Sequence, residues 1–133
     1  MNISAIQAIR HPWLGWLGFK RALDRTSIAL DDHDGLLLIF SNEQRPVLSK
    51  LGARWYGGEQ LSVDEARRLR DEVGELRAHL EHQGVAAWPR DADGPRVAPT
   101  AANIEHMIGT CRRLEAFLDR AIEWRSPLHL DGD

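Results

Sequence analysis

Several signals are missing from this chain of 133 residues, and each absence narrows the reading. Cys111 is the only cysteine, so an internal disulfide and any site built from several cysteines are excluded. No apolar run approaches the roughly 18 residues that a membrane-crossing helix needs. The first residues lack the basic start, apolar stretch and small-residue ending of a secretory leader, so a cytoplasmic protein is expected. Lysine is scarce: 15 of the 17 basic residues are Arg. There is no G-x-S-x-G, no phosphate-binding glycine loop, no dinucleotide fingerprint and no H-E-x-x-H. There is also no internal repeat and no low-complexity tract.

What is present suits one ordered domain. Hydrophobic residues make up 43% and charged residues 28%, a balance found in globular chains and not in disordered ones. The net charge of −3 is uneven. Arg10, Lys20, Arg21 and Arg25 against Asp24 leave +3 in residues 1–25, hence −6 in the remainder. Five Trp is a rich supply for this length, and large aromatics serve cores and interfaces alike.

The stretch Leu61–Val85 carries the clearest local instructions. Ser62 and Glu65 form S-x-x-E, which predicts a capping box at a helix start. Gly84 supplies the stop, with Leu80 and Val85 placed for the accompanying apolar contact. Between them Ala66, Leu69, Val73, Leu76 and Leu80 alternate spacings of three and four, the seam of an amphipathic helix. A second helix is predicted from the Thr100 cap to about Arg125, with Pro127 beyond it. Its apolar face is Ile104, Met107, Ile108, Cys111, Leu114, Leu118, Ala121 and Ile122, widened by Phe117 and Trp124.

The first half is read with less local guidance. Ile6, Ile9, Trp13, Trp16, Lys20 and Leu23 share a helical stripe, so residues 3–24 are expected to be helical with a break at Pro12. Ser27–Leu30 and Leu36–Phe40 read as two strands around the turn Asp31–Gly35. Over Ser41–Gln60 two readings stand: Pro46 opens a short helix closed by Gly52, or Val47–Leu51 and Ala53–Tyr56 extend a meander. Residues 85–99 form a long connection, or a small hairpin pairing Val85–Trp88 with Arg96–Ala98. The expected fold class is therefore α+β: three main helices packed on a small antiparallel sheet, a hairpin or meander at about 27–56, in a single domain spanning 1–133. In length and in its helix–meander–helix order this layout resembles that of small secretion chaperones, with no motif behind the likeness.

Candidate chemistry is sparse. Asp31, Asp32, His33 and Asp34 form the densest set of ligand types, but their spacing misses the calcium-loop pattern, and a polar hairpin tip accounts for them. His79 and His82 sit three apart near a helix end; a metal site there needs a third ligand such as His106. Cys111 falls on an apolar face, where cysteine acts as a small hydrophobe. The arginines at 67, 68, 70 and 77 look like a nucleic-acid stripe until their neighbours are counted. Asp64–Arg68, Arg68–Glu72, Arg67–Asp71 and Arg77–Glu81 are all spaced i, i+4, so the face neutralises itself.

The expected function follows: a small non-catalytic cytoplasmic protein that binds another protein, of inhibitor, immunity, adaptor or chaperone type, with homodimerisation as a further expectation. It requires no metal and no cofactor, and nucleic acid is not an expected partner. The expected anchors are Trp13, Trp16, Trp88, Trp124 and Phe117, because binding energy concentrates in a few large side chains. The first alternative is a metal-dependent or otherwise unfamiliar enzyme built on His79, His82 and His106. The second is a membrane-surface helix over residues 12–25, where aromatic and basic residues mix.

Overall fold

The computed structural model describes the backbone of residues 2–8, 20–27, 39–40, 44–53, 60–92, 94 and 97–131, and side chains at 39–40, 44–51, 60–92, 94 and 97–130. The fold class is α+β: helices combined with a small antiparallel sheet. In chain order the elements are β1 (Asn2–Ala8), β2 (Lys20–Ser27), α1 (Pro46–Ala53), β3 (Gln60–Leu61), α2 (Val63–Gln83), α3 (Ala101–Glu123) and β4 (Leu128–Asp131). A 3-10 turn, Gly84–Ala87, follows α2 directly.

The four strands lie in the order β2-β1-β4-β3, all neighbours antiparallel. The two ends of the chain meet here: Asn2 pairs with Asp131 and Ala5 with Leu128. Between β1 and β2 the register shifts, Ala5 facing Asp24 and Ile6 facing Ala22, so Leu23 is an extra residue on β2. Such a bulge bends an edge strand and spoils it as a template for further pairing. On β4 the alternation is plain: Leu128 and Leu130 are buried and His129 is half-exposed, with Leu61 of β3 buried opposite Leu128.

Several expectations from the sequence are corrected. The helix expected over residues 3–24 is absent where the chain is described: β1 and β2 occupy 2–8 and 20–27, and Pro12 lies outside the described residues. Of the hairpin expected from Ser27–Leu30 and Leu36–Phe40, Ser27 is found in β2 and Ile39 and Phe40 in a 3-10 turn instead of a strand; residues 28–38, with the Asp31–Gly35 turn, lie outside the described residues. Of the two readings for 41–60, the helix is the one observed, running one residue past Gly52. The layout likeness to secretion chaperones fails with the first element, which is a strand. No ladder joins Val85–Trp88 to the 97–98 segment among the described residues. The loop is held instead by Trp88, whose indole N–H donates to the Val97 carbonyl.

The two long helices match their local signals closely. The Ser62 hydroxyl accepts the Glu65 N–H at 3.1 Å and the Glu65 carboxylate accepts the Ser62 N–H at 3.0 Å, the reciprocal bonds of a capping box. Gly84 ends α2 with φ of 53°, and its N–H donates to Leu80. Val85 does not close an apolar contact there, being 58% exposed. Thr100 caps α3 through its hydroxyl, which accepts the Asn103 N–H at 3.1 Å.

α2 and α3 run antiparallel and form the body of the core. Leu69, Val73, Leu76 and Leu80 are fully buried, as are Met107, Cys111, Phe117 and Leu118 from α3. Each such side chain contributes about 1.5–3 kcal/mol by leaving water. α1 adds Val47, Leu48 and Leu51 to the same cluster.

Candidate functional site

α3 does not end in a simple stop. Trp124 is the C-cap residue, and beyond it the Arg125 N–H donates to the Ile122 carbonyl at 3.0 Å while the Ser126 N–H donates to the Ala121 carbonyl at 2.9 Å. This pair of bonds is a Schellman motif. It requires a left-handed residue just after the cap, a place usually filled by glycine. Here Arg125 takes it, with φ of 50°, and among the described residues it alone of the non-glycines has a positive φ. An L-residue held there costs about 1–2 kcal/mol.

The strained arginine sits beside an exposed indole. Trp124 is 43% exposed, and with Val85 it is one of two large hydrophobic residues classed as exposed among those described. The cross-helix bonds Arg70–Asp119 and Arg77–Glu115 fix the antiparallel order, so Val85 and Trp124 stand near opposite ends of the helix pair. Arg120 in the last turn of α3 and Arg125 after it both place positive charge at the negative end of the helix dipole.

The other expected anchors are differently placed. Trp88 is 6% exposed and packs edge-on against Phe40, ring centroids 5.2 Å apart at 85°. Phe117 is 1% exposed. Both are core side chains, and neither presents a face to a partner in this conformation. Trp13 and Trp16 lie outside the described residues. The basic half of the expected membrane-surface helix, residues 20–25, is in β2, which corrects that reading for those residues. Among the described residues no helix is long and apolar enough to cross a membrane.

A second surface feature lies over Gly74, where α2 and α3 are cross-linked by charge. Arg77 donates twice to Glu115 and once to Glu81, Arg112 reaches Glu81 at 2.8 Å, and Arg70 reaches Asp119 at 2.9 Å. Hydrogen bonding to Glu115 raises the pKa of Arg77, and hydrogen bonding to Asp119 raises that of Arg70. A shallow groove of about 420 Å³ opens here, lined by Arg70, Asp71, Gly74, Glu75, Arg77, Ala78 and Glu115. Both of its arginines are bound to carboxylates of α3, so the groove reads as a helix-to-helix cross-link and not as an anion cradle. Of the i, i+4 pairs expected from sequence, Arg77–Glu81 forms at 2.8 Å. Arg67 turns back to Asp64 instead, and Glu72 is taken inward.

The metal and nucleophile candidates find little to work with. Among the described residues, no group of three or more His, Cys, Asp or Glu side chains converges on a point where an ion could sit. His79 and His82 are exposed on α2, His106 is half-buried on α3, and the three do not form such a group. Residues 31–34 lie outside the described residues. Cys111 is fully buried, and burial pushes its thiol up to about 12, so it supplies no thiolate at neutral pH.

Two features escaped the sequence reading. Arg125 in a left-handed conformation has no sequence signature, although Pro127 two residues on marks the neighbourhood as a helix end. Glu72 looked like a surface partner for Arg68, because its true partners are 24 and 25 residues away. Comparison with known proteins adds no relative: no protein-family model matches the chain, and neither a curated protein nor a solved structure is similar to it.

Proposed function

We propose that this chain is a non-catalytic protein-binding module, of the inhibitor, immunity, adaptor or chaperone type, whose contact centres on Trp124 and Arg125. The observation that supports the reading is their adjacency: an indole 43% exposed, next to an arginine held at φ of 50°. Trp and Arg are the side chains in which interface energy most often concentrates. Backbone strain kept at an exposed position suits a residue selected for where it points, since glycine at that position relieves the strain. A buried face of α2 and α3 supplies a rigid platform behind them, so little ordering is needed on binding.

The test is a pair of variants scored on two separate scales. Trp124→Ala and Arg125→Ala are each melted, and each is assayed for self-association by sedimentation and for partner retention by crosslinking. The proposal expects a variant with a native melt that has lost association. Loss of association only in variants that have also lost their melt contradicts it.

A further inference from the structure

The residue at the N-cap position of α1 is not a capping type. Arg45 is its N-cap residue, since the Arg45 carbonyl accepts the first helical bond, from Ser49 N–H at 2.9 Å. Arginine is a poor choice there: it offers no side-chain acceptor and puts positive charge at the positive end of the helix dipole. The first turn contains no acidic residue either. The donors are satisfied from another element. Glu72, in the middle of α2 and 8% exposed, accepts the Val47 N–H at 3.1 Å on one oxygen and the Leu48 N–H at 2.8 Å on the other.

α1 has eight residues, too few to persist alone in water. Among the described elements, its principal packing contact is with α2. Lys50 reaches Glu65 at 3.1 Å, but this pair is on the surface, with the lysine side chain 48% exposed. Arg45 donates to the Phe40 carbonyl at 3.0 Å. Among the described residues, what keeps α1 down is the apolar set Val47, Leu48 and Leu51, aligned by one buried carboxylate.

We propose that α1 is a separately opening lid over the core, latched by the Glu72 carboxylate. Glu72 satisfies both free N–H groups of the first turn and opposes the helix dipole with full charge, so it does in one group what a local cap and an acidic first turn do elsewhere. An element whose first-turn donors are bound by one distant group, and that is too short to stay helical when detached, opens as a unit below the global unfolding limit. Opening lifts Val47, Leu48 and Leu51 out of the core and exposes the part of α2 beneath them.

The experiment is native-state hydrogen exchange of the full chain, followed by mass spectrometry at a fixed pH. In the unmodified protein, the amides of residues 49–53 are expected to exchange through an opening at least about tenfold more populated than that of the α2 and α3 core amides, with a weaker dependence on added denaturant. Glu72→Gln keeps the side-chain shape but removes the charge and turns an amide NH2 toward one of the two donors. It should raise the α1 opening at least about tenfold more and leave α3 unchanged. The unmodified protein provides a test even where Glu72→Gln does not fold. Exchange of α1 with the same population and denaturant dependence as α2 overturns the proposal, and so does a folded Glu72→Gln protein whose α1 exchanges as before.

Discussion

Gly74 and Glu115 face each other across the α2–α3 contact so closely that a Cβ on Gly74 would stand 3.0 Å from the Glu115 Oε1. That carboxylate is held in turn by Arg77. A glycine in a helix interior costs about 1 kcal/mol against alanine, so its presence at the middle of α2 needs a reason, and this approach supplies it.

Gly74→Ala is therefore expected to leave stability nearly unchanged, the gain in helix propensity being offset by displacement of Glu115. Made in a Glu115→Ala background, the same change should stabilise by about 1 kcal/mol. Denaturant melts of the four proteins form the cycle. Equal effects in both backgrounds refute the coupling.

The seam of α2 is core and its outer face is not. Leu69→Ala and Leu76→Ala should each cost about 2–5 kcal/mol, since both side chains are fully buried. Arg68→Ala, at an exposed position, should cost under about 0.5 kcal/mol. Melts in which all three behave alike would reverse the assignment of faces.

How far the sequence announces this fold depends on how local each instruction is. α2 and α3 are written in adjacent residues: Ser62 with Glu65, Thr100 with Asn103, and apolar spacings of three and four. The sheet is written across the whole chain. β1 is paired on one side by Lys20–Ser27 and on the other by Leu128–Asp131, more than 120 residues away, and its Ile and Ala positions fit a helical stripe equally well. β2 reads Lys-Arg-Ala-Leu-Asp-Arg-Thr-Ser, with no run of β-branched residues to mark it. β4 was legible in principle, because Leu128-His129-Leu130-Asp131 alternates strictly just after Pro127. The candidate site divides the same way. Trp124 was visible as an aromatic beyond a filled face, whereas the burial of Trp88 depends on Phe40 and Val97, which only folding brings to it.

Arg125→Gly should raise stability by about 1 kcal/mol, less than the full left-handed penalty because glycine also gains freedom in the unfolded chain. A melting temperature unchanged or lowered by this substitution would show that Arg125 is not strained or that its side chain holds the helix end in place.

The capping box gives stability a pH dependence. The Ser62 N–H, and after it Lys50, hold the Glu65 carboxyl below the usual glutamate value of 4.5. A carboxyl lowered by folding stabilises fully above its unfolded value, and that stabilisation is lost as pH falls through the folded value. Glu65→Ala should then destabilise by about 1 kcal/mol at pH 7, with the difference from the unmodified protein closing below pH 4.5. A difference that stays constant from pH 7 down to acid would assign the loss to packing instead of charge.

The central claim, a binding surface centred on Trp124, is tested most directly by the affinity of a crosslink-identified partner, or of the chain for itself, measured for the unmodified protein and for Trp124→Ala under one condition. A binding anchor is expected to lose about 2 kcal/mol or more on truncation, roughly a thirtyfold weaker complex, with the melting temperature held. A complex of unchanged affinity in a Trp124→Ala protein that melts normally would place the binding surface elsewhere.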